Sequence, residues 1–192
     1  MYNQDKHEYN NSEFKNPAGK FSAFCFEWLE SIVQAIIVIV IVLTFLFRVV
    51  NISGPSMEKT LFDGDKVVVW KWSYEPTKGD VVIISKGQHL DEPIVKRVIA
   101  TQGDTLEIDF SDGSVIVNNK KLDETYIKEP MWVQGDGEIP SVIPQGYTFV
   151  MGDNRNHSMD SRFEDVGLID NEDIVGKANF IIFPFGRFGG IH

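Results

Sequence analysis

Hydrophobic residues occur in this chain in one long run and in several short ones, and the two lengths predict different elements. The long run, SIVQAIIVIVIVLTFLF at residues 31–47, carries no charge and has the length of a membrane-spanning helix. A β-branched run such as IIVIVIV also suits a buried strand, but strands average only about five or six residues. The pattern therefore predicts a transmembrane anchor over residues 29–48, with a buried element as the alternative.

The short runs follow the anchor, and each is β-branched or aromatic and bounded by Gly, Pro, Asn or Asp. They are DKVVVW, GDVVIIS, PIVKRVIA, DTLEIDF, SVIVNN, GYTFVMG and KANFIIFPF. Between them, Asn118 and Asn119 suit a tight hairpin turn with positive φ. We expect a mainly β fold, an antiparallel coiled sheet or partly closed barrel, behind one N-terminal transmembrane helix.

The residues around the long run suggest three parts. Residues 1–28 are expected to be a tail, which is polar and flexible over residues 1–20. Residues 49–192 are expected to form one β domain. This domain contains a short insert at 105–145, in which we find no functional signal. Glu27 and Glu30 precede the run and RVVNIS follows it, which favours an uncleaved anchor over a secretory signal. Basic residues lie on both sides, so they do not decide the orientation.

Charge and cysteine content exclude some classes of function. The net charge is −10, from 28 acidic and 18 basic residues, and a nucleic-acid partner needs the opposite sign. The single cysteine, Cys25, cannot close an intramolecular disulfide and has no companions for a zinc site. We expect no nucleic acid and no metal.

One serine follows the anchor in a turn sequence, SGPSM, where Gly54 and Pro55 can present Ser56 at an exposed edge. By itself this is also an ordinary loop serine. A serine nucleophile needs a base. Of the four histidines, His7 lies in the tail, His89 in a polar loop and His192 at the end, which leaves His157.

The other candidate base is Lys96 in PIVKRVIA, where the period of a strand flanks it with aliphatic residues. Burial among them lowers the pKa of a lysine and allows the neutral amine to accept a proton. The alternative is that Lys96 extends its ammonium to the surface.

A polar segment, MGDNRNHSMDSR at residues 151–162, follows the predicted strand GYTFV. Its density of carboxylates, guanidiniums, amides and hydroxyls suits a rigid loop bonded to itself. The alternative is a surface turn held by salt bridges.

Five segments in this order, SGPSMEKTL, GDKVVV, KGDVVII, VKRVIATQGD and MGDNRNHSMDSR, resemble the conserved boxes of bacterial type I signal peptidases. The resemblance runs from about Trp28 to Phe185 and skips the insert. It implies an endopeptidase with a Ser–Lys dyad, Ser56 as nucleophile and Lys96 as general base, and no cofactor.

The resemblance also implies roles for the polar loop. Ser158 matches the hydroxyl that orients the lysine amine, Asp160 and Arg162 match a structural ion pair, and His157 falls on a variable position. A rigid loop is implied for Asp153, Asn154 and Arg155.

By the same resemblance, shallow pockets accept the small residues at positions −3 and −1 of a signal peptide. Their predicted lining is Ile52, Gly54, Met57, Leu61, Val67, Ile83 and Val95. Aliphatic side chains beside an exposed backbone edge would admit Ala and reject larger groups, while the substrate pairs as an added strand. The chain departs from the family at Lys59, often proline, and at Gly54, where some members carry a serine that donates to the oxyanion.

The implied setting is a single-pass protein of the cell membrane, with a cytoplasmic N-terminus and the domain outside. The expected partners are the lipid bilayer and the signal peptides of exported preproteins. The alternatives are a membrane-tethered β adaptor, an inactive paralogue, and a self-cleaving repressor-type Ser–Lys protease. The anchor and the absence of a basic recognition helix count against the last.

Overall fold

The structure, a computed structural model, describes residues 17–85 and 92–191, with the helical side chains described from residue 24 onward. The chain divides into two units, Met1–Val42 and Leu43–His192. Residues 1–16, which hold most of the expected tail, lie outside the described residues.

One long helix, α1, covers Pro17–Leu46. Within it Phe24–Leu46 has a mean hydropathy of 2.6 and is long and apolar enough to cross a membrane. The helix starts at Pro17, before the predicted anchor, and ends at Leu46 instead of residue 48. The reason for the earlier end is that Phe47–Asn51 pairs with a later strand and is withdrawn from the helix. The division into tail, anchor and domain stays a prediction.

The β domain is built on one antiparallel sheet that curls into a half-barrel. Its strands are β1 (Phe47–Asn51), β2 (Lys66–Trp70), β3 (Val81–Ile84), β4 (Ile94–Thr101), β8 (Tyr147–Met151), β9 (Ile169–Asp170), β10 (Ile174–Phe183) and β11 (Gly189–Gly190). The order is β1-β2-β10-β3-β4-β8-β9, and β11 pairs with β10. Short 3-10 helices cover Asn171–Asp173 and Phe185–Arg187. The predicted fold class is confirmed.

A second, three-stranded sheet occupies the insert, in the order β5 (Leu106–Asp109), β6 (Ser114–Val117) and β7 (Lys120–Lys121). Asn118 and Asn119 form the turn between β6 and β7 with φ of 52° and 60°. The predicted asparagine hairpin is therefore confirmed, because these two side chains tolerate the left-handed region that a tight hairpin needs.

Packing of the sheet brings three distant segments together. A buried cluster that includes Ile52, Met57 and Val69 covers one part of the sheet, and a second cluster around Phe149 joins it to the insert. The β1–β2 connection carries Ser56, β4 carries Lys96, and the β8–β9 connection carries the polar segment 151–162. These three segments form the candidate site.

Candidate active site

Ser56 lies at the start of a helical turn in the β1–β2 connection, here called the serine turn (residues 54–61). Glu58 N–H donates to Pro55 O at 3.0 Å and Leu61 N–H to Met57 O at 2.8 Å. Gly54 precedes the turn with φ of +84°, a conformation that glycine adopts without strain. Within the described residues no acceptor is found for the Ser56 N–H, so that it is available to a ligand.

Lys96 occupies the middle of β4, a strand that pairs with β3 on one side and β8 on the other. Its side chain is buried, with the residue 3% exposed, and Nζ lies 3.0 Å from Ser56 Oγ and 3.0 Å from Val95 O. The alternative in which Lys96 extends to the surface is wrong, because the residue is 3% exposed and its Nζ is bonded to Ser56 and Val95.

Burial changes the acidity of this amine. Desolvation lowers the pKa of Lys96 from its ordinary 10.5 to about 8, against an opposing Coulombic effect of Asp160 and Asp153. At pH 7 roughly a tenth of the lysine is then neutral, against a few parts in ten thousand for an ordinary lysine. The site can therefore hold an unprotonated base beside a hydroxyl.

The polar segment 151–162, here called the motif loop, is buried and bonded to itself. The Asp160 carboxylate accepts hydrogen bonds from Arg162 Nε at 2.8 Å and from Arg162 Nη2 at 2.9 Å, and both side chains are fully buried. In the same way, the Asp153 carboxylate accepts hydrogen bonds from Arg97 Nε at 2.8 Å and from Arg97 Nη2 at 2.7 Å. The surface-turn alternative is wrong for this loop, since its charged groups are paired in the interior, where an unpaired charge is costly.

Asn154 connects the motif loop to the serine turn. Its backbone N–H donates to Ser56 O at 3.0 Å and its Nδ2 donates to Pro55 O at 3.0 Å. Arg155 closes the loop on itself by donating from Nε to Gly152 O at 3.1 Å. The loop thus fixes the backbone on both sides of the Ser56 Cα.

Ser158 is buried, and its Oγ has no hydrogen-bond partner within the part of the chain that the structure describes. It lies against Gly152 and close to the Ser56 backbone. No bond joins it to Lys96, so its predicted orienting role stays a prediction. His157 is exposed, whereas His7, His89 and His192 lie outside the described residues.

The residues predicted to line the substrate pockets gather in one place. Five of them are buried in one cluster, with Val95 packed against it: Ile52, Met57, Leu61, Val67 and Ile83. Gly54 is half-buried at the start of the serine turn. A substrate could reach only the atoms at the edge of this cluster, and the pocket assignment stays a prediction.

The two departures from the family have structural consequences. Lys59 has φ of +91°, a value closed to proline, whose ring holds φ near −65°. Its Nζ contacts Thr125 O at 2.5 Å and Ile127 O at 3.2 Å. The Gly54 N–H donates to Asp63 Oδ1 at 2.9 Å, so this amide is not free to serve a substrate.

The insert also contributes residues that the sequence interpretation missed. Glu124 pairs with Arg155 at 2.5 Å, and the Tyr126 ring lies under Arg97, 4.2 Å from its guanidinium carbon. No local pattern in the sequence indicated the pair, because Glu124 and Arg155 are 31 positions apart.

A serine hydroxyl 3.0 Å from a desolvated lysine is the arrangement of a hydrolase that acts through an acyl-enzyme. Comparison with known proteins agrees. The profile of the family described as "Signal peptidase, peptidase S26" matches residues 25–183. The chain belongs to this family and is a serine endopeptidase.

Its relatives include signal peptidase I of Bacillus licheniformis, 38% identical over 84% of this chain and 90% of the relative. Signal peptidase I T of Bacillus subtilis strain 168 is 36% identical over 94% of this chain and 96% of the relative. Signal peptidase IB of Staphylococcus aureus is 37% identical over 84% of this chain and 91% of the relative. A crystal structure of signal peptidase I from Enterococcus faecalis V583 aligns with a TM-score of 0.45 and 24% identity, over 54% of this chain and 97% of that one.

Proposed function

We propose that the protein is a membrane-anchored endopeptidase that removes N-terminal signal peptides from exported preproteins, with Ser56 as nucleophile and Lys96 as general base. The observation that carries the proposal is the 3.0 Å contact between Lys96 Nζ and Ser56 Oγ, made by an amine buried from water. The names of its relatives supply the substrate class.

The first half-reaction acylates Ser56. Oγ attacks the carbonyl carbon of the residue at position −1 while neutral Lys96 Nζ takes the hydroxyl proton. The C–N bond then breaks, the ammonium returns the proton to the leaving amine, and the signal peptide is held as an ester. In the second half-reaction Lys96 deprotonates a water molecule, which hydrolyses the ester and restores Ser56.

As the tetrahedral intermediate forms, the carbonyl oxygen of the substrate becomes negatively charged and needs hydrogen-bond donors to stabilise it. The N–H of Ser56 is suited to this role, because it belongs to the proposed nucleophile itself and has no acceptor within the described residues. Gly54 offers no side-chain donor, and its N–H is held by Asp63. The second donor is therefore expected to be water or another amide.

Substrate selection is proposed to depend on the cluster beside the serine turn. Val95 and Gly54 are the partly buried members of the predicted lining, whereas its other five members are buried aliphatic side chains. Ala at positions −3 and −1 fits such a surface, and longer side chains are rejected by size.

The bilayer is the second proposed partner, with α1 as a single anchor, the N-terminus in the cytoplasm and the β domain outside. Apart from Phe24–Leu46, support comes from aromatic side chains that the β domain leaves exposed, Trp72, Phe183, Phe185 and Phe188. Aromatic rings are favoured at the membrane interface, where their apolar bodies leave water.

The test is cleavage of a purified preprotein with an Ala-x-Ala site by the full-length protein in detergent or liposomes. We expect a single mature product whose sequence begins immediately after the second Ala, and no cleavage when Leu replaces Ala at position −1. A preparation of Ser56→Ala made in the same way controls for contaminating peptidases. Absence of cleavage by folded wild type would favour the tethered adaptor instead.

The variant Ser158→Ala tests whether the Ser158 hydroxyl orients Lys96 for catalysis or only contributes to the stability of the fold. Because Ser158 Oγ has no partner, its loss should leave the free energy of unfolding unchanged or slightly higher. If the hydroxyl orients Lys96 during the reaction, kcat should fall about 10-fold or more. The measurements are urea unfolding and steady-state cleavage.

Ser161→Ala is the matched control, since Ser161 Oγ accepts the Val150 N–H at 3.0 Å and does not reach the dyad. It should lower stability by about 1 to 3 kcal/mol by leaving a buried N–H unpaired, with kcat preserved. Wild-type kcat in Ser158→Ala would show that the hydroxyl does not orient the amine.

A further inference from the structure

A segment of the insert, residues 123–130, contacts each part of the proposed catalytic site. This segment, here called the strap, follows the short strand β7 and has no regular structure. The family motifs do not include it. Its contacts reach the serine turn, the strand that carries Lys96, and the motif loop.

The strap is joined to the serine turn at two side chains. Lys59 Nζ donates to Thr125 O and Ile127 O, at 2.5 and 3.2 Å. Glu58 accepts a hydrogen bond from Lys128 Nζ at 2.6 Å. Both contacts lie within three residues of Ser56, so movement of the strap would be transmitted to the nucleophile.

The strap is also joined to the motif loop. Lys128 N–H donates to Asp153 O at 2.9 Å, and Glu124 Oε1 accepts from Arg155 Nη2 at 2.5 Å. The Glu124 side chain is only 8% exposed and that of Arg155 is fully buried. This ion pair is therefore part of the interior.

Charge balance explains why the interior needs Glu124. Three guanidiniums are buried near the dyad, and the motif loop supplies carboxylates for two: Asp153 for Arg97 and Asp160 for Arg162. Arg155 receives its carboxylate from the strap. With the carboxylate gone, Arg155 would be a buried charge without a counterion, free to compete for the aspartates that hold the site together.

Tyr126 completes the connection from the other side. Its ring lies 4.2 Å from the guanidinium carbon of Arg97 and 5.9 Å from that of Arg155. Arg97 is the residue after Lys96 and binds Asp153 through both carboxylate oxygens. The ring keeps water from this pair and limits the movement of both arginines.

We propose that the strap is a positioning element for the Ser56–Lys96 dyad, in which Glu124 and Tyr126 act through Arg155 and Arg97 and Lys59 ties the serine turn to the strap. The proposal rests on the dyad chemistry proposed above. None of these residues touches the reacting atoms, so the expected defect is in geometry. Misplacement of reacting groups by about 1 Å can reduce a rate about 100-fold.

The test compares kcat and KM of full-length variants with their thermal unfolding. Glu124→Gln keeps the shape and removes the charge, and Tyr126→Leu removes the ring while Tyr126→Phe keeps it. We expect kcat to fall about 10-fold or more in Glu124→Gln and Tyr126→Leu, with KM within about threefold of wild type. Tyr126→Phe keeps the ring and loses the hydrogen bond, 3.3 Å long, that the hydroxyl donates to Glu124 Oε1. Because Glu124 keeps its ion pair with Arg155, we expect kcat within about threefold of wild type, an outcome that a hydroxyl-dependent role would not show.

Asp112→Asn is the matched control, because it breaks an exposed ion pair with Lys121 in the same insert without contact to the serine turn. It should have wild-type kcat and KM. Lys59→Met is the second test variant, and it is expected to fold normally because Lys59 is exposed and only its ammonium is lost. Its kcat should fall several-fold.

Wild-type kcat in folded Glu124→Gln, or in Lys59→Met if Glu124→Gln does not fold, overturns the proposal. The two proposals fail differently. If wild type and Asp112→Asn do not cleave the substrate, the proposed function fails and the strap proposal fails with it. If both cleave and the strap variants cleave equally well, only the strap proposal fails.

Discussion

Replacing Lys96 with methionine is expected to abolish cleavage, lowering kcat/KM by about 1,000-fold or more. Methionine has nearly the same length and apolar stem, so the packing around β4 is kept and only the amine is lost. Lys96 Nζ is the group bonded to Ser56 Oγ, at 3.0 Å, so the variant lacks the proposed proton acceptor, and general bases contribute about 100- to 10,000-fold to such reactions. The measurement is the rate of cleavage of the Ala-x-Ala preprotein at substrate concentrations well below KM, which gives kcat/KM. Residual activity above about a tenth of wild type would contradict the assigned role.

The same substitution is expected to increase stability. The unfolded chain binds a proton at Lys96 up to its ordinary pKa of 10.5, whereas the folded protein releases it above a pKa of about 8. The stability that this group contributes is therefore fully present above 10.5 and is lost as pH falls through 8. At pH 7 the cost is about 3 kcal/mol, which Lys96→Met removes. The gain, measured by urea unfolding, should shrink as pH rises from 8 to 10.5, and a destabilised variant at pH 7 would contradict it.

The second large effect is expected from Gly152→Ala. A methyl group at Gly152 would overlap Ser158 Oγ and Cβ and lie 2.5 Å from the Ser56 carbonyl oxygen. Backbone atoms cannot give way cheaply, so the motif loop must move away from the serine turn and break the bonds that Asn154 makes to it. We expect kcat/KM to fall about 100-fold or more, because the dyad geometry is set by this contact.

Gly186→Ala is the matched control, since nothing lies within 4 Å of the methyl group it would add. It should cleave like wild type. If Gly152→Ala also retains wild-type kcat/KM and the same unfolding temperature, the close approach of the motif loop to Ser56 is not required for catalysis.

The strands that the sequence predicted are those whose pattern is local. Each β-branched or aromatic run became a strand of the main sheet or of the insert, because these residue types between turn formers favour a strand locally. Two of the strands that were missed have no strand pattern of their own. Phe47–Asn51 continues the apolar run and becomes β1 only by pairing with β2, and Gly189–Gly190 becomes β11 only by pairing with β10.

The candidate site shows the same division. Ser56 and Lys96 could be named from their motifs, but the burial of Lys96 depends on β3 and β8 lying on either side of β4. Glu124 could not be assigned to Arg155 from local pattern, because the two are 31 positions apart and meet only through the insert. Ser158 Oγ has no hydrogen-bond partner within the described residues, so its predicted role in orienting Lys96 stays a prediction.

The most direct test of the Ser–Lys account is the pH dependence of kcat/KM for wild type between pH 5.5 and 10.5, with a preprotein whose own groups do not titrate in that range. Because kcat/KM reports ionisation of the free enzyme, it should rise with a single apparent pKa near 8 as Lys96 loses its proton. A rise that continues to the ordinary lysine pKa of about 10.4, or no dependence on pH, would contradict the claim that burial prepares Lys96 as the base.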